Sequence, residues 1–126
     1  MLLISASGVA CRAAASPIHA VEGVRTEAVR FQNGGITLAG TLFMPDERGR
    51  HPAVVLFHGS GPEARNPQVA DWFARHRVAA LTCDKRGVGE STGDFRSVSF
   101  TELSADGIAS GASYGFAPSR SMWSSA

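Results

Sequence analysis

The stretch that decides the fold is Pro52-Ala53-Val54-Val55-Leu56-Phe57-His58-Gly59-Ser60-Gly61-Pro62. Its segment from Ala53 to Phe57 is apolar without interruption, which is typical of a strand that is covered on both faces in a parallel sheet. The following His58-Gly59-Ser60-Gly61-Pro62 ends this strand abruptly, because glycine and proline favour turns. The segments on either side of this strand then show what kind of sheet it joins.

Upstream, the chain has the alternating pattern of an antiparallel hairpin. Structure is predicted to begin near Val24, and Val29 and Phe31 share one face of the first strand. The turn Asn33-Gly34-Gly35 follows, and its residues tolerate positive φ. Residues 36–44 then alternate between two faces, which predicts a half-buried antiparallel pair.

Downstream, the chain predicts a crossover helix and a second strand. Asn66 is a candidate helix cap, with Pro67 at the first helical position. One apolar stripe at helical spacing is expected to face the sheet, and it consists of Val69, Trp72, Phe73 and His76. The mostly apolar segment 78–83 closes a strand–helix–strand unit.

A second helix is predicted after a long glycine-rich loop. The loop spans residues 84–93, and Ser99 and Glu102 beyond it form a capping box. Leu103 and Ile108 are the core candidates of this helix.

These elements predict an α/β fold in which an antiparallel hairpin is followed by parallel strands with a crossover helix. A hairpin and one crossover are half of a sheet, so we expect residues 24–115 to be an incomplete domain. Residues 1–23 are interpreted as a degraded signal peptide or a disordered tail, because no basic residue precedes their apolar run. Residues 116–126 have no periodicity and are interpreted as an irregular, frameshifted tail.

Two loops are expected at the carboxyl ends of the parallel strands, where open α/β sheets bind ligands. The first contains Ser60 and Gly61, whose backbone N–H groups in a tight turn suit an oxyanion hole. Glycine leaves room for a substrate oxygen to approach these amides. A plain strand-to-helix turn is the alternative interpretation.

The order of these motifs resembles the α/β-hydrolase superfamily, in particular its bacterial esterase and serine-peptidase-like members. The resemblance runs from about Phe31 to Leu103 and rests on PAVVLFHGSGP joined to DKRGVGESTGDF. It implies a serine hydrolase for a small-molecule acyl substrate, with no cofactor and no metal. The amide of Ser60 would donate to the oxyanion, and the catalytic base would come late in the chain. The residues implied to be structural at the site are His58, Gly59, Asp84, Arg86, Gly87 and Gly89.

Residues 89–93, Gly-Glu-Ser-Thr-Gly, match the G-x-S-x-G nucleophile pattern, yet Ser91 is not the predicted nucleophile. A nucleophilic serine of this type sits on a sharp turn directly between a strand and a helix. Here the apolar strand ends at Cys83, a charged and glycine-rich segment intervenes, and no helix follows at once. A triad of Ser91 with His58 and Asp84 would take its base from the wrong loop.

The nucleophile is expected near or beyond residue 120, given typical lengths of about 11–12 residues for a helix and about 5–6 for a strand. The sequence there, PSRSMWSSA, has neither flanking glycines nor a preceding apolar strand. We therefore expect the chain to keep the oxyanion turn, to lack nucleophile, acid and base, and to be inactive by itself. The alternative is a non-catalytic fragment or interaction module with a hydrolase-like half-fold. A nucleotide-binding module is disfavoured, because Thr92 stands where G-x-G-x-x-G requires glycine.

Composition excludes several other classes of function. The net charge is +1 with no long run of either sign, so nucleic acid is not an expected partner. No stretch of 18 apolar residues is present, so no membrane span is expected. The two cysteines, Cys11 and Cys83, have neither metal-ligand spacing nor a disulfide framework. The weakly signal-like N-terminus favours a periplasmic or secreted location over a cytoplasmic one, and the oligomeric state is left open.

Overall fold

The boundaries of the strands and helices follow the sequence pattern closely. The computed structural model describes residues 22–57, 59 and 61–114. Within these ranges the elements are, in chain order, β1 (Val24–Asn33), β2 (Ile36–Pro45), β3 (Ala53–Leu56), α1 (Pro67–Arg75), β4 (Ala79–Cys83) and α2 (Phe100–Ser113). The predicted hairpin, crossover helix, second strand and capped helix are therefore all present.

The four strands form one mixed sheet in the order β1-β2-β4-β3. β1 and β2 are antiparallel, and β2 is also antiparallel to β4. β3 and β4 are parallel, as the crossover through α1 requires. The α/β class, with an antiparallel hairpin followed by a parallel pair, is confirmed. Among the described strands, β3 lies at one edge of the sheet.

Each face of the sheet carries its own apolar core. On one face, Phe31, Leu38 and Leu81 belong to a cluster that packs with α2. On the other face, Phe43 and Ala80 pack against α1. Strand β2 contributes Leu38 and Leu42 to the first cluster and Phe43 to the second, so both of its faces are buried. The expectation of a half-buried hairpin is therefore wrong for β2.

Both helices begin at the predicted caps. The side chain of Asn66 accepts a hydrogen bond from the N–H of Val69 at 3.2 Å. At the start of α2, Ser99 accepts from the N–H of Glu102, and the Glu102 carboxylate accepts from the N–H of Ser99 at 2.8 Å. These bonds satisfy N–H groups that have no partner inside a helix.

Helix α1 turns a different face to the sheet from the one predicted. Its buried residues are Ala70 and Ala74, whereas Phe73 is half-buried. The other three residues of the predicted stripe are exposed: Val69, Trp72 and His76. The predicted stripe is therefore wrong for these three residues, because small alanine side chains allow the helix to lie close to the sheet. Phe73 still packs against the apolar cluster on this face.

Helix α2 packs through small and polar residues, not through the predicted apolar ones. Its buried residues are Asp106, Gly107, Ser110 and Gly111. Ile108 is 74% exposed, so its prediction as a core residue is wrong, and Leu103 is half-buried. A β-carbon at Gly107 would overlap the ring of Phe57, so a larger residue at 107 would require this ring to move.

Neither helix in the described ranges is long and apolar enough to span a membrane. Residues 1–21 and 115–126 are outside these ranges, and the predictions of a signal peptide or tail and of a frameshifted end fall mainly on them. The predicted division of the chain at residues 23 and 116 stays a prediction.

The first test concerns which face of α1 packs against the sheet. Replacement of Ala74, which is 1% exposed, by leucine is expected to lower the free energy of unfolding by about 1–3 kcal/mol, because it overpacks the contact with the sheet. The matched control Val69→Leu adds volume on the exposed side and is expected to change it by less than about 0.5 kcal/mol. Urea unfolding measures both variants. A larger loss for Val69→Leu than for Ala74→Leu would show that the predicted stripe faces the sheet after all.

Candidate functional site

The loops that follow β3 and β4 meet at the carboxyl ends of these parallel strands. The ammonium group of Lys85 donates to the carbonyl oxygens of Gly59 at 2.6 Å and Gly61 at 2.9 Å. The backbone N–H of Lys85 also donates to the carbonyl oxygen of Glu63 at 3.4 Å. The turn after β3 is thus held against the loop after β4, at the edge where α/β sheets bind ligands.

Two of the predicted site residues, His58 and Ser60, lie outside the described residues, so their roles stay predictions. Gly61 is described and has a φ of 101°, a conformation that favours glycine. A β-carbon at Gly61 would meet no atom within 4 Å. The backbone conformation therefore calls for glycine here, and the space beside the turn is open.

The buried Asp84 carboxylate forms hydrogen bonds with both loops. One of its oxygens accepts from the N–H of Arg65 at 2.9 Å and from Arg65 Nε at 3.0 Å. The other oxygen accepts from Arg65 Nη2 at 2.6 Å and from the N–H of Glu90 at 3.0 Å. Asp84 is 3% exposed, and four donors satisfy the lone pairs that burial removes from water. Arg65 stands in the segment between β3 and α1, so this pair fixes that segment.

The same contacts set the ionisation of Asp84. Burial by itself would raise the pKa of the carboxyl group. The hydrogen bonds and the charge of Arg65, together with the N–H of Glu90, outweigh burial and lower the pKa to about 2. Asp84 is therefore a carboxylate at neutral pH, and the pKa of Arg65 is raised in turn, mainly by the hydrogen bonds that its side chain donates to Asp84.

Ser91 is the serine of the G-x-S-x-G match. Its hydroxyl hydrogen-bonds to the backbone both as a donor and as an acceptor. Its hydroxyl donates to the carbonyl oxygen of Asp84 at 2.9 Å and accepts from the N–H of Ala39 at 2.9 Å. The side chain is 8% exposed, and the chain from 84 to 99 contains no helix. This geometry ties the loop to β2 and leaves the hydroxyl proton engaged in a backbone bond.

The predicted structural glycines Gly87 and Gly89 lie in the same loop. Gly89 has a φ of 55°, and a β-carbon there would stand 2.5 Å from Oδ2 of Asp84. A β-carbon at Gly87 would stand 2.7 Å from the carbonyl oxygen of Gly93. The loop therefore packs so tightly, against the Asp84 carboxylate at Gly89 and against its own backbone at Gly87, that these positions have no room for a side chain.

Arg86 makes the second buried ion pair of the site. Its Nε and Nη2 atoms each donate to the Asp106 carboxylate at 2.7 Å, and Asn33 donates to the same carboxylate at 2.7 Å. The hydrogen bond to Asp106 is the main reason why the pKa of Arg86 is raised. The pair attaches the loop to α2 and β1. Sequence reasoning missed Arg65, Lys85 and Asp106 as partners, because each pair joins residues about 20 or more positions apart.

A small cavity lies between α2 and the ends of β3 and β4. Its volume is about 50 Å³, and its lining includes the apolar Leu56, Phe57 and Leu103 together with Lys85 and Arg86. A cavity of this size has room for a few groups of the size of a water molecule.

The described residues include other groups that could take part in catalysis, namely metal ligands, a thiol and two histidines. No group of three or more His, Cys, Asp or Glu residues there is placed to hold a metal ion. Burial raises the pKa of Cys83 to about 12, so this thiol stays protonated and is a poor nucleophile. The two described histidines, His51 and His76, bond to the carbonyl oxygens of Glu47 and Trp72. Neither is bonded to Ser91.

Part of the chain is similar to a curated protein. No family model matches the chain. A polyketide transferase, grgF, from a Penicillium species is 39% identical over 64 residues, which are 49% of this chain and 21% of that protein. The chain thus spans about a fifth of the length of this curated relative.

Solved structures resemble the described fold more broadly. Acetyl xylan esterase 1 from a Thermoanaerobacterium species matches with a TM-score of 0.56 and 20% identity, over 68% of this chain and 28% of the esterase. A hypothetical protein from Pseudomonas aeruginosa matches with a TM-score of 0.61 and 24% identity, over 94% of this chain and 37% of that one. A cold-adapted esterase from an Arctic intertidal metagenomic library matches with a TM-score of 0.51 and 23% identity, over 77% of this chain and 44% of the esterase. The described residues therefore have an esterase-like, hydrolase-type α/β fold.

The low pKa of Asp84 predicts how stability depends on pH. Its folded-state pKa lies below its unfolded-state value, so the stabilisation is complete above the unfolded pKa and is lost as pH falls from about 4 to about 2. The Asp84→Asn variant is expected to be less stable than the wild type at pH 7 by about 2 kcal/mol or more, and the difference should shrink over that pH range. Urea unfolding at a series of pH values measures it.

A matched control for this pH series is Glu47→Gln, which removes an exposed carboxylate paired with Arg77. Exposed pairs contribute about 0–1 kcal/mol, so this variant should follow the wild type closely. A difference between wild type and Asp84→Asn that stays constant from pH 7 to pH 2 would contradict the depressed pKa.

Proposed function

We propose that the described residues, together with Ser60, form the N-terminal, oxyanion-binding part of a serine hydrolase of the α/β-hydrolase superfamily. The observation that carries the proposal is the turn after β3, whose Gly59 and Gly61 carbonyl oxygens both bind Lys85 at the carboxyl edge of the sheet. A turn whose carbonyl oxygens are held on one side can present its N–H groups on the other, as an oxyanion hole requires. The esterase-like fold supports the same proposal.

In the proposed reaction, a serine outside the described residues passes its proton to a general base and attacks the carbonyl carbon of an ester, thioester or amide, whose alcohol, thiol or amine group then leaves. The carbonyl oxygen becomes negatively charged, and the amides of Ser60 and Gly61 are the candidates that stabilise it. A further amide, next to the nucleophile, would complete the oxyanion hole. The nucleophile, acid and base are all proposed to lie outside the described residues, and the substrate is a small acyl compound.

The first test of this proposal concerns Ser91, the serine of the G-x-S-x-G match. The purified chain is expected to hydrolyse p-nitrophenyl acetate no faster than buffer, because the Ser91 hydroxyl is engaged by Asp84 and Ala39 and neither of the described histidines is bonded to it. Ser91→Ala should leave this rate unchanged, and a fluorophosphonate probe should not label Ser91. Turnover that disappears in Ser91→Ala would revive the G-x-S-x-G motif and overturn the proposed assignment.

A second test examines the turn directly and needs no nucleophile. Titration of the ¹⁵N-labelled chain with acetate, a product-like oxyanion, is expected to shift the amide signals of Ser60 and Gly61, with a Kd on the order of millimolar. Sodium chloride at the same ionic strength is the control for salt effects. Ser60→Pro removes the backbone N–H and should abolish binding, whereas Ser60→Ala keeps that N–H and should retain it. Shifts that are absent at residues 60 and 61, or that persist in Ser60→Pro, would contradict the proposal.

A further inference from the structure

We infer that the outer edge of β3 pairs with the same edge of a second copy of this chain, antiparallel and related by a two-fold axis at Val55. Among the described strands, β3 has one neighbour, β4, and lies at the edge of the sheet. All five residues of β4 are buried, whereas β3 has one exposed and three half-buried residues. The inference is independent of the proposed function, because it concerns the sheet edge and not the loops.

The direction of the backbone groups on this edge follows from the pairing with β4. The carbonyl oxygen of Pro52 accepts a hydrogen bond from the N–H of Ala79 at 2.8 Å, so residue 52 faces β4. Successive residues of an extended strand direct their N–H and C=O groups to opposite sides, so the even-numbered residues bond to β4 and the odd-numbered ones face outward. The outward groups are the N–H and C=O of Ala53, those of Val55 and the N–H of Phe57.

These outward groups are symmetric about Val55, so a second copy that runs in the opposite direction meets them in register. Val55 then lies opposite Val55 of the second copy, and each donates its N–H to the other's carbonyl oxygen. The carbonyl oxygen of Ala53 accepts from the N–H of Phe57 of the second copy. The small Ala53 side chain leaves room for the Phe57 ring, which is 58% exposed in the single chain. The pairing therefore satisfies backbone groups and covers apolar surface at once.

The two edges of the described sheet differ in their protection against such pairing. β1, at the opposite edge, carries Arg25, Glu27 and Arg30 within its length. Charged side chains and prolines are common means by which edge strands avoid pairing with another molecule. Residues 53–57 are Ala-Val-Val-Leu-Phe and contain neither. β3 is therefore the edge that accepts a strand of another molecule.

The arrangement of the helices and the charge of the chain favour a second copy that joins edge to edge. Helix α1 packs mainly on β4 and β2, and α2 contacts β1 and β3, so each face of the sheet already has a helix. The net charge of one chain is +1, so long-range repulsion between two copies is small. A two-fold axis also closes the assembly at two chains, because each copy has then used its β3 edge.

The dimer is expected to be weak, because the contact is short. Interfaces below about 1,200 Å² are typical of transient complexes, and we expect a Kd on the order of 10–100 μM. Sedimentation velocity of the full chain, at concentrations from well below to well above this Kd, should show one reversible transition from monomer to dimer.

Disulfide formation tests the register. Val55→Cys places two thiols opposite each other, at a Cα–Cα distance of about 5.5 Å that a disulfide can span. Ala53→Cys is the matched control, since residues 53 of the two copies would lie about 14 Å apart along the pair. Both variants are made with Cys11→Ser, so that the other cysteine, Cys83, is a buried one. Under mild oxidation, Val55→Cys should form the covalent dimer and Ala53→Cys should not.

A proline tests the backbone bonds of the pair. Val55→Pro removes an N–H that points away from β4, so no hydrogen bond inside the sheet is lost. Because the two-fold axis repeats the loss, dimerisation should weaken by about tenfold or more. The control Val55→Ala shortens the same side chain but keeps the N–H, and it should dimerise nearly as well as the wild type. Urea unfolding checks that both variants fold.

Three results would overturn the inference. A chain that stays monomeric at every concentration would mean that another segment covers this edge. Equal cross-linking of Val55→Cys and Ala53→Cys, or assemblies larger than a dimer, would mean a different register or open-ended stacking. A dimer that Val55→Pro leaves intact would place the interface elsewhere on the molecule. If Val55→Pro does not fold, the two cysteine variants decide the question by themselves.

Discussion

The ion pair between Asp84 and Arg65 is the interaction on which the rest of the site depends. Parallel strands bring the loops after β3 and β4 to one edge of the sheet, but neighbouring strands do not by themselves fix the loops that follow them. The Asp84 carboxylate supplies that restraint, since it binds the backbone and the side chain of Arg65 in one loop and the N–H of Glu90 in the other. A buried carboxylate is stable only when its oxygens are satisfied, so both loops must adopt conformations that bring donors to it.

The other ion pairs near Asp84 differ in strength, because their side chains differ in exposure to solvent. Glu90 accepts hydrogen bonds or ion pairs from Arg30 and Arg65, but its side chain is 61% exposed, and exposed pairs contribute little. Arg86 and Asp106 are each 10% exposed and are joined by two 2.7 Å bonds, so loss of one partner would leave an uncompensated buried charge. The loop after β4 is therefore anchored at two buried points, one toward the turn and one toward α2.

Local patterns predicted the local parts of this structure. The Asn33-Gly34-Gly35 turn, the Asn66 cap and the capping box of Ser99 and Glu102 depend on neighbouring residues, and each was predicted from sequence and is present. The face that α1 turns to the sheet differs from the predicted one, because the contact is made by the small alanines at 70 and 74 and not by most of the large apolar residues. What decides that face is the close approach of the helix to β2 and β4, and close approach selects small residues.

The partners of the charged residues in the site could not be predicted from the sequence, for a different reason. Each buried cation bonds to a residue that the chain brings near only after the sheet has formed, as in the pairing of Arg86 with Asp106, 20 positions apart. The sequence contains eleven Asp and Glu residues and twelve Lys and Arg residues, so the number of conceivable pairs is large. Only the register of β4 against β2 and the packing of α2 reduce that number to the pairs observed.

The G-x-S-x-G pattern shows how a motif can arise from structural demands alone. Gly89 lies against the Asp84 carboxylate, where a β-carbon would collide with Oδ2. The hydroxyl of Ser91 bridges the Asp84 carbonyl oxygen to the N–H of Ala39, a bond that a larger or apolar side chain could not make. Gly93 has a φ of 93° and a β-carbon there would stand 2.9 Å from Cδ1 of Ile36. Each letter of the pattern thus has its own cause in the packing of one loop, against the Asp84 carboxylate, the β2 backbone or the Ile36 side chain, and none of these causes requires the serine to react.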